Sequence, residues 1–436
     1  LNRFVSFYSN ASYTYDDKYV LSGSIRWDRS NLWGTNSKYQ NKPLWSVGGS
    51  WNIYKEKFFQ ADFVDMLKLR ASYGIGGNIG RNTAPYLIAS YYDSSLVDGM
   101  AGSVNTPPNK DIRWEKTTTV NVGVDFALFR HRLSGTIEYY NKYSVDLLAA
   151  INGSPTQGFG YTTLMTNNGK MVNRGVEITL SGEIIRQKDF SWNASLLYAF
   201  NRNKVKHISV QPSLWDSRIS MPTSYPMVGK PLYGIYAYKW AGLNENGDPQ
   251  VYDAENNVTS GPARDYHALV YCGTTVPIHN ASLTNVLRYK GFEFSAMLIL
   301  DAGHKLRSSN IPSINMSNGR ITSTAKGIVD RWTQPGDVTD VPRLLFSNDT
   351  ENFNTHRTEL YRYSDLFVYD ASNIRLSNIS LAYRVPAHWC KKISLSGARL
   401  QFNVENVATF AFDSKANYDL GGKVKPNYGW GLYLNF

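Results

Sequence analysis

The sequence predicts an all-β protein, a transmembrane antiparallel β-barrel with short turns at one end and long loops at the other. Three observations carry that expectation. Apolar and polar residues alternate with period two from one end of the 436-residue chain to the other, the periodicity of strands with two chemically distinct faces. The connections between these segments alternate in length, the layout of outer-membrane barrels. Aromatic residues make up 14% of the chain while charged residues make up 19%, and no stretch approaches the ~18–20 consecutive apolar residues of a membrane helix. A strand crosses a bilayer in about ten residues with alternate positions apolar, so modest hydropathy is compatible with crossing by strands.

The strands follow in order. Leu21, Ile25 and Trp27 oppose Ser22, Ser24 and Arg26, and Trp45, Val47, Trp51 and Ile53 oppose Ser46, Ser50 and Asn52. Leu67, Leu69, Ala71 and Tyr73 oppose Lys68, Arg70 and Ser72; Val120, Val122, Val124 and Phe126 oppose Asn121 and Asp125. Val176, Ile178 and Leu180 face away from Glu177 and Thr179, and Trp192, Ala194, Leu196 and Tyr198 from Asn193 and Ser195. Phe292, Phe294, Ala296, Leu298 and Leu300 alternate with Glu293 and Ser295, and Leu400, Phe402 and Val404 with Gln401 and Asn403. The pattern gives fourteen strands, roughly 2–15, 19–29, 43–54, 66–76, 113–129, 131–144, 171–185, 189–203, 231–242, 278–290, 292–303, 366–385, 396–411 and 427–436. If long loops share one side, 204–277 needs one crossing beyond 231–242; Asp265 to Cys272 is the candidate, for fifteen in all. An odd antiparallel set cannot close on itself, so further strands are expected from elsewhere. In 371–386 the apolar phase flips between Leu376 and Ile379, which predicts a β-bulge at Ser377-Asn378.

Bilayer and lumen demand opposite chemistry at neighbouring positions. Val122, Ile178, Leu196, Leu298 and Phe402 are expected to face lipid, and Asn121, Glu177, Asn193, Glu293 and Gln401 a water-filled lumen. Tyr13, Tyr15, Tyr19, Trp27, Trp45, Trp51, Tyr54 and Tyr73 lie near strand ends, as interfacial girdles do. Long links are expected at 30–42, 77–112, 145–170 and 304–365, and the last carries Trp332, Phe346 and Tyr361 as candidate contacts to a partner or cargo. Packing over the barrel mouth is the competing role for these side chains.

Chemistry-bearing motifs are sparse. The formal charge of +11 comes without a local basic run, so nucleic acid is not an expected partner. Cys272 and Cys390 have no zinc-ligand spacing, and one long-range disulfide is the remaining option for them. Gly74-Ile-Gly-Gly-Asn-Ile-Gly80 lacks the third glycine position of a dinucleotide loop and no helical pattern follows. Asn244-Glu-Asn-Gly-Asp-Pro249 starts like a calcium loop but lacks its downstream Glu, which favours a plain turn. Neither catalytic residues, metal nor cofactor are expected. The chain enters a strand pattern at its first residues without a signal peptide, and is expected to start within a larger structure.

Several segments together resemble the barrel of the SusC/RagA-type TonB-dependent outer-membrane transporters of Bacteroidetes. They are Tyr15-Asp-Asp-Lys-Tyr-Val-Leu-Ser-Gly-Ser-Ile-Arg-Trp-Asp28, Leu67-Lys-Leu-Arg-Ala-Ser-Tyr-Gly74 with Gly77-Asn78, Trp114-Glu115, Asn168-Gly169 with Asn173-Arg-Gly-Val-Glu177, Tyr289-Lys-Gly-Phe292, Ile374 to Tyr383 and Val404-Glu-Asn406. The resemblance implies a 22-stranded barrel, of which this chain would hold about fifteen. It also implies a plug and first strands on an upstream polypeptide, whether cut away, present as another chain or encoded by a split gene, with energy from the TonB complex through that plug and a SusD-like surface lipoprotein as lid. Gly431, Leu434 and Phe436 are similar to the family's C-terminal insertion signal. The cargo it implies is an oligosaccharide or peptide, and loops mixing Trp215 and Trp332 with Tyr, Arg and Asp suit either. A passive porin and a soluble carbohydrate-binding β protein are the alternatives.

Overall fold

The computed structural model describes residues 3–32, 34, 36, 42–80, 85–96, 98–153, 156, 163–212, 217–261, 265–316, 324–346, 355–420 and 425–436. Asn2 of the first expected strand and Trp215 lie outside the described residues.

Thirteen strands form one sheet, each hydrogen-bonded to the next in chain order: β1 Phe4–Tyr15, β2 Tyr19–Ser30, β3 Leu44–Asn52, β4 Val64–Asn78, β5 Glu115–Leu128, β6 Leu133–Asn152, β7 Thr163–Arg186, β8 Phe190–His207, β9 His279–Tyr289, β10 Phe292–Ala302, β11 Asn373–Arg384, β12 Gly397–Ala411 and β13 Asn427–Asn435. All pairings are antiparallel. The sheet is open, with β1 and β13 at its edges. Among the described residues no helix is long and apolar enough to cross a membrane, which says nothing of crossing by strands.

The expected count of fifteen is corrected to thirteen. Residues 231–242 and 265–272 were the two extra crossings; instead Gly234–Tyr238 pairs with Leu269–Thr274 in a separate two-stranded sheet, and β8 pairs directly with β9. All five residues of Gly234–Tyr238 are buried, so this strand has no polar face to offer a lumen. Two extra crossings and none satisfy the same parity, and the long connections still leave from one end of the sheet. The expected long link at 145–170 is also shortened, because β6 and β7 continue pairing as far as Asn152 and Thr163. Two register shifts near Leu147 hide the alternation there.

The predicted bulge is present. Met297 pairs with Asn378 and Leu298 with Leu376, so Ser377 is the extra residue against β10; on the other side Leu376 pairs with Ala408 and Asn378 with Glu405, so Asn406 and Val407 of β12 together lie opposite Ser377. The bulge returns Ile379, Leu381 and Tyr383 to the face of Ile374 and Leu376.

Register then sorts the side chains. Leu180, Leu196, Leu283, Leu298 and Leu376 form one cross-strand row, each opposite the next. Trp192, Leu287, Phe294, Leu381 and Phe402 form a second. Val122 and Ile178 lie on the same face, through the rows Val122–Tyr139–Val176 and Ile137–Ile178–Tyr198. The opposite face carries Ser72–Asn121–Tyr140, Glu138–Glu177, Glu183–Asn193–Val286 and Arg288–Glu293–Ala382–Gln401. At the short-turn end the apolar face is ringed by aromatic pairs: Tyr19 and Trp51 stack with centroids 6.4 Å apart, Phe63 and Phe129 at 5.9 Å, and Phe292 meets Tyr383 at 4.5 Å.

Cys272 and Cys390 are both free thiols. They sit on connections at opposite ends of the sheet, so the long-range disulfide is ruled out by position.

Candidate functional site: the polar face and the loop assembly

The polar face is organised by charge. Arg70 on β4 donates from Nε and Nη2 to the two carboxylate oxygens of Asp125 at 2.7 and 2.9 Å, and also to Glu138 two strands away. Thr136 Oγ1 adds a donor to Asp125 Oδ1 at 3.1 Å. Glu293 is clamped between Arg288 Nε at 2.7 Å and Arg399 Nη2 at 3.0 Å, and Gln401 donates to Ser380 and Asn403 at 3.2 and 2.9 Å. These ladders tie neighbouring strands across a face where apolar residues such as Val286, Met297 and Ile299 are interspersed among polar and charged ones.

The described residues of the long connections 208–278 and 303–372 fold together into a loop assembly with a core of its own. Tyr236, Tyr238, Val251, Leu269 and Leu360 form one buried cluster, and Ile314, Tyr361 and Phe367 a second, with Trp240 packing against both. Backbone and side-chain bonds cross between the connections: Tyr238 N–H to the Tyr363 carbonyl at 2.9 Å, Trp240 N–H to Asp365 Oδ1 at 2.9 Å and Trp240 Nε1 to Asp340 Oδ1 at 2.9 Å.

Asp248 is the main brace. Arg343 meets its carboxylate with Nε and Nη2 at 3.0 and 2.9 Å, and Arg357, whose side chain is 4% exposed, donates from Nε at 2.6 Å. Arg357 is completed by Asn315 Oδ1 at 2.7 Å and the Arg343 carbonyl at 2.8 Å. Arg307 donates to three carbonyls, those of Tyr236, Arg362 and Ser364, at 2.7, 3.1 and 3.2 Å.

The turn that presents Asp248 is the plain turn the sequence favoured. Asn244 Oδ1 accepts from the N–H groups of Asn246 at 3.0 Å and Asp248 at 2.8 Å, an Asx turn that consumes the oxygen a cation would need. Gly247 has φ +74°, and a Cβ there would lie 2.4 Å from the Trp332 ring, so the close packing of Trp332 requires glycine. Among the described residues no group of three or more His, Cys, Asp or Glu is arranged to hold a metal.

The three loop residues expected as contacts part ways. Tyr361 is 1% exposed, packed against Trp240 and edge-on to Phe367 at 4.9 Å. The expectation of contact is corrected: Tyr361 has no surface to offer and takes the packing role, and burial pushes its hydroxyl pKa well up. Trp332 and Phe346 are partly exposed, the first over Gly247 and the second in a parallel bridge with Met316. Gly431 and Leu434 lie on the edge strand β13, Gly431 opposite Gln401 on the polar face and Leu434 opposite Ala398; Phe436 follows its last residue and is 92% exposed. The Asp248 brace escaped sequence reading because its partners are 95 and 109 residues away.

A smaller electrostatic clip closes the base of the assembly, where Lys305–Arg307 pairs with Val368–Asp370. Burial pushes the Asp370 carboxyl up, but the Ser372 hydroxyl and N–H and the Lys305 ammonium, 3.0 Å away, outweigh it and hold the pKa at about 2. An unfolded Asp titrates near 4, so the folded state gains from this carboxylate above pH ~4 and loses that gain as pH falls from about 4 to about 2. Protection of the amides of 303–310 and 366–372, read as hydrogen–deuterium exchange corrected for the intrinsic pH dependence of the exchange chemistry, is therefore expected to fall across that window in the wild type. In Asp370→Asn protection should be low throughout; wild-type protection that stays constant down to pH 2 would contradict the assignment.

A strictly antiparallel sheet of thirteen long strands, two-faced, with every long connection at one end, defines the wall of an outer-membrane-type β-barrel. The family described as TonB dependent receptor-like, beta-barrel matches residues 2–407, and the chain belongs to it. Among curated relatives, TonB-dependent receptor P3 of Formosa agariphila is 27% identical over 98% of this chain and 43% of its own length. TonB-dependent receptor SusC of Bacteroides thetaiotaomicron is 25% identical over 93% of this chain and 40% of its own. The structure of the RagAB peptide transporter superposes with a TM-score of 0.80 at 23% identity, covering 100% of this chain and 48% of that one, a likeness of fold. The chain thus spans less than half the length of the relatives it matches.

Proposed function

We propose that this chain is the larger part of the barrel wall of an active outer-membrane importer. The apolar face contacts lipid, and the face carrying Asn121, Glu177, Asn193, Glu293 and Gln401 lines the route of the cargo. The short-turn end is periplasmic and the loop assembly extracellular. The observation that carries this reading is the register: across thirteen strands it keeps the leucine rows and the charged ladders on opposite faces. The open edges of β1 and β13 are to be closed by strands of an upstream barrel and plug polypeptide, through which the TonB complex supplies energy. Gly431, Leu434 and Phe436 serve as the insertion signal. The relatives named SusC and RagAB support a SusD-like lipoprotein over the loop assembly and an oligosaccharide or peptide as cargo, with Trp332 and Phe346 as the exposed aromatic contacts. The role is passage and not catalysis.

Removing 326–341, which carries Trp332 and is separate from the wall, tests this. The receptor is expected to remain inserted and heat-modifiable in the native outer membrane while uptake of its oligomeric cargo and lipoprotein pairing fall about tenfold. Uptake in the wild type should stop when TonB is absent. Uptake that ignores TonB would sink active import, and unchanged pairing and uptake in the deletion would remove the loop role.

A further inference from the structure

Three arginines are largely buried in the loop assembly, and they are not satisfied alike. Arg357 has a carboxylate, an amide oxygen and a carbonyl; Arg307 has three carbonyls. Arg218, in the short helix Ser217–Ser220, is 7% exposed. Among the described residues it makes a single hydrogen bond, from Nε to the Tyr225 carbonyl at a long 3.4 Å, and its terminal nitrogens have none. Its remaining neighbours are two aromatic rings: its guanidinium carbon is 5.0 Å from the Tyr266 centroid and 5.9 Å from that of Tyr236. No carboxylate among the described residues pairs with it, and burial pulls its pKa down.

A guanidinium taken out of water without a counter-ion is costly, and ring faces offset part of that cost. The surrounding core fixes its place: Ile219 and Tyr266 pack against the Tyr236–Tyr238–Leu269 cluster, and Tyr236 Oη accepts from the Met227 N–H at 3.2 Å. The side chain thus lies against this core with its fork of terminal N–H groups unspent. A carboxylate matches two parallel N–H donors in a bidentate pair, as a phosphate also does, whereas a neutral hydroxyl does not.

We infer that Arg218, flanked by Tyr236 and Tyr266, is the anchor of a carboxylate-binding site in the loop assembly. The carboxylate belongs to a peptide C-terminus or acidic side chain or to a uronic acid, and these sources share the same recognition. The site does not depend on the import reading.

The purified full receptor in detergent tests it with paired probes: N-acetyl-Ala-Ala against its C-terminal amide, and methyl glucuronoside against methyl glucoside. Calorimetric titration is expected to show each carboxylate that fits binding at least about tenfold more tightly than its neutral partner. Arg218→Gln is expected to erase that difference, and Arg218→Lys, which keeps the charge but not the fork, to shrink it and make it more salt-sensitive. The tighter carboxylate identifies the source. Equal affinity for charged and neutral probes in the wild type, or a difference that survives both substitutions, would overturn the site. Arg218→Lys keeps the test usable where Arg218→Gln fails to fold. Because the titration needs no energised membrane, loss of TonB-driven uptake with carboxylate binding intact would overturn import and leave the site standing.

Discussion

Replacing Asp248 by Ala is expected to destabilise the loop assembly by about 3–5 kcal/mol while leaving the sheet folded. The magnitude follows from leaving buried positive charge uncompensated, since removal of one partner of a buried ion pair costs that much. Two guanidinium groups lose their carboxylate at once, and Arg357, 4% exposed, cannot turn to water. Asp248 lies on connection 208–278, and both arginines lie on connection 303–372, so the lost bonds are those that hold one connection to the other. The sheet is paired through its own backbone ladder and does not use this carboxylate. Limited proteolysis in detergent should therefore cut within 217–261 and 303–346 in Asp248→Ala while the barrel stays heat-modifiable. Asp248→Asn, which keeps an acceptor but not the charge, should fall between. Wild-type protease resistance in Asp248→Ala would show that the apolar clusters suffice.

The second large effect is expected at Leu298. It lies midway along β10, in a row with Leu283 and Leu376, on the apolar face. Arginine on the lipid face of a barrel near the midplane costs about 2–4 kcal/mol. Ser282→Arg, on the neighbouring strand at similar depth but on the polar face opposite Ile299, should cost far less, because Glu177 and Asp301 line the same open hollow. Reversible unfolding in lipid vesicles measures both. Equal costs would mean that the two faces meet the same medium.

Much of the wall was legible in the sequence because a two-faced strand writes its facing into every second residue. Thirteen of the fourteen patterned segments are in the sheet, and even the bulge at Ser377 showed as a phase flip between Leu376 and Ile379. The misread segment, 231–242, lacked that signature: Ile235, Tyr236, Ala237 and Tyr238 are all buried, so an unbroken apolar run marked a loop core and not a crossing. The loop assembly was illegible for a related reason. Its braces join residues about a hundred positions apart, and neither Asp248 nor Arg218 sits in a pattern that announces a partner. Of the loop aromatics, composition could nominate Trp332, Phe346 and Tyr361 alike, and burial separates Tyr361 from the others.

The central claim is that one face of this sheet meets lipid and the other meets water, and site-directed spin labelling tests it most directly. With Cys272 and Cys390 replaced by serine, single nitroxides are placed at 296, 297, 298 and 299 of β10 in the full receptor reconstituted in bilayers. Collision rates with oxygen, which concentrates in lipid, and with a water-soluble nickel chelate are then read at each position. The account predicts alternation with period two, oxygen dominant at 296 and 298 and nickel dominant at 297 and 299. Accessibility that is flat along the four positions, or nickel-dominant at all of them, would contradict it.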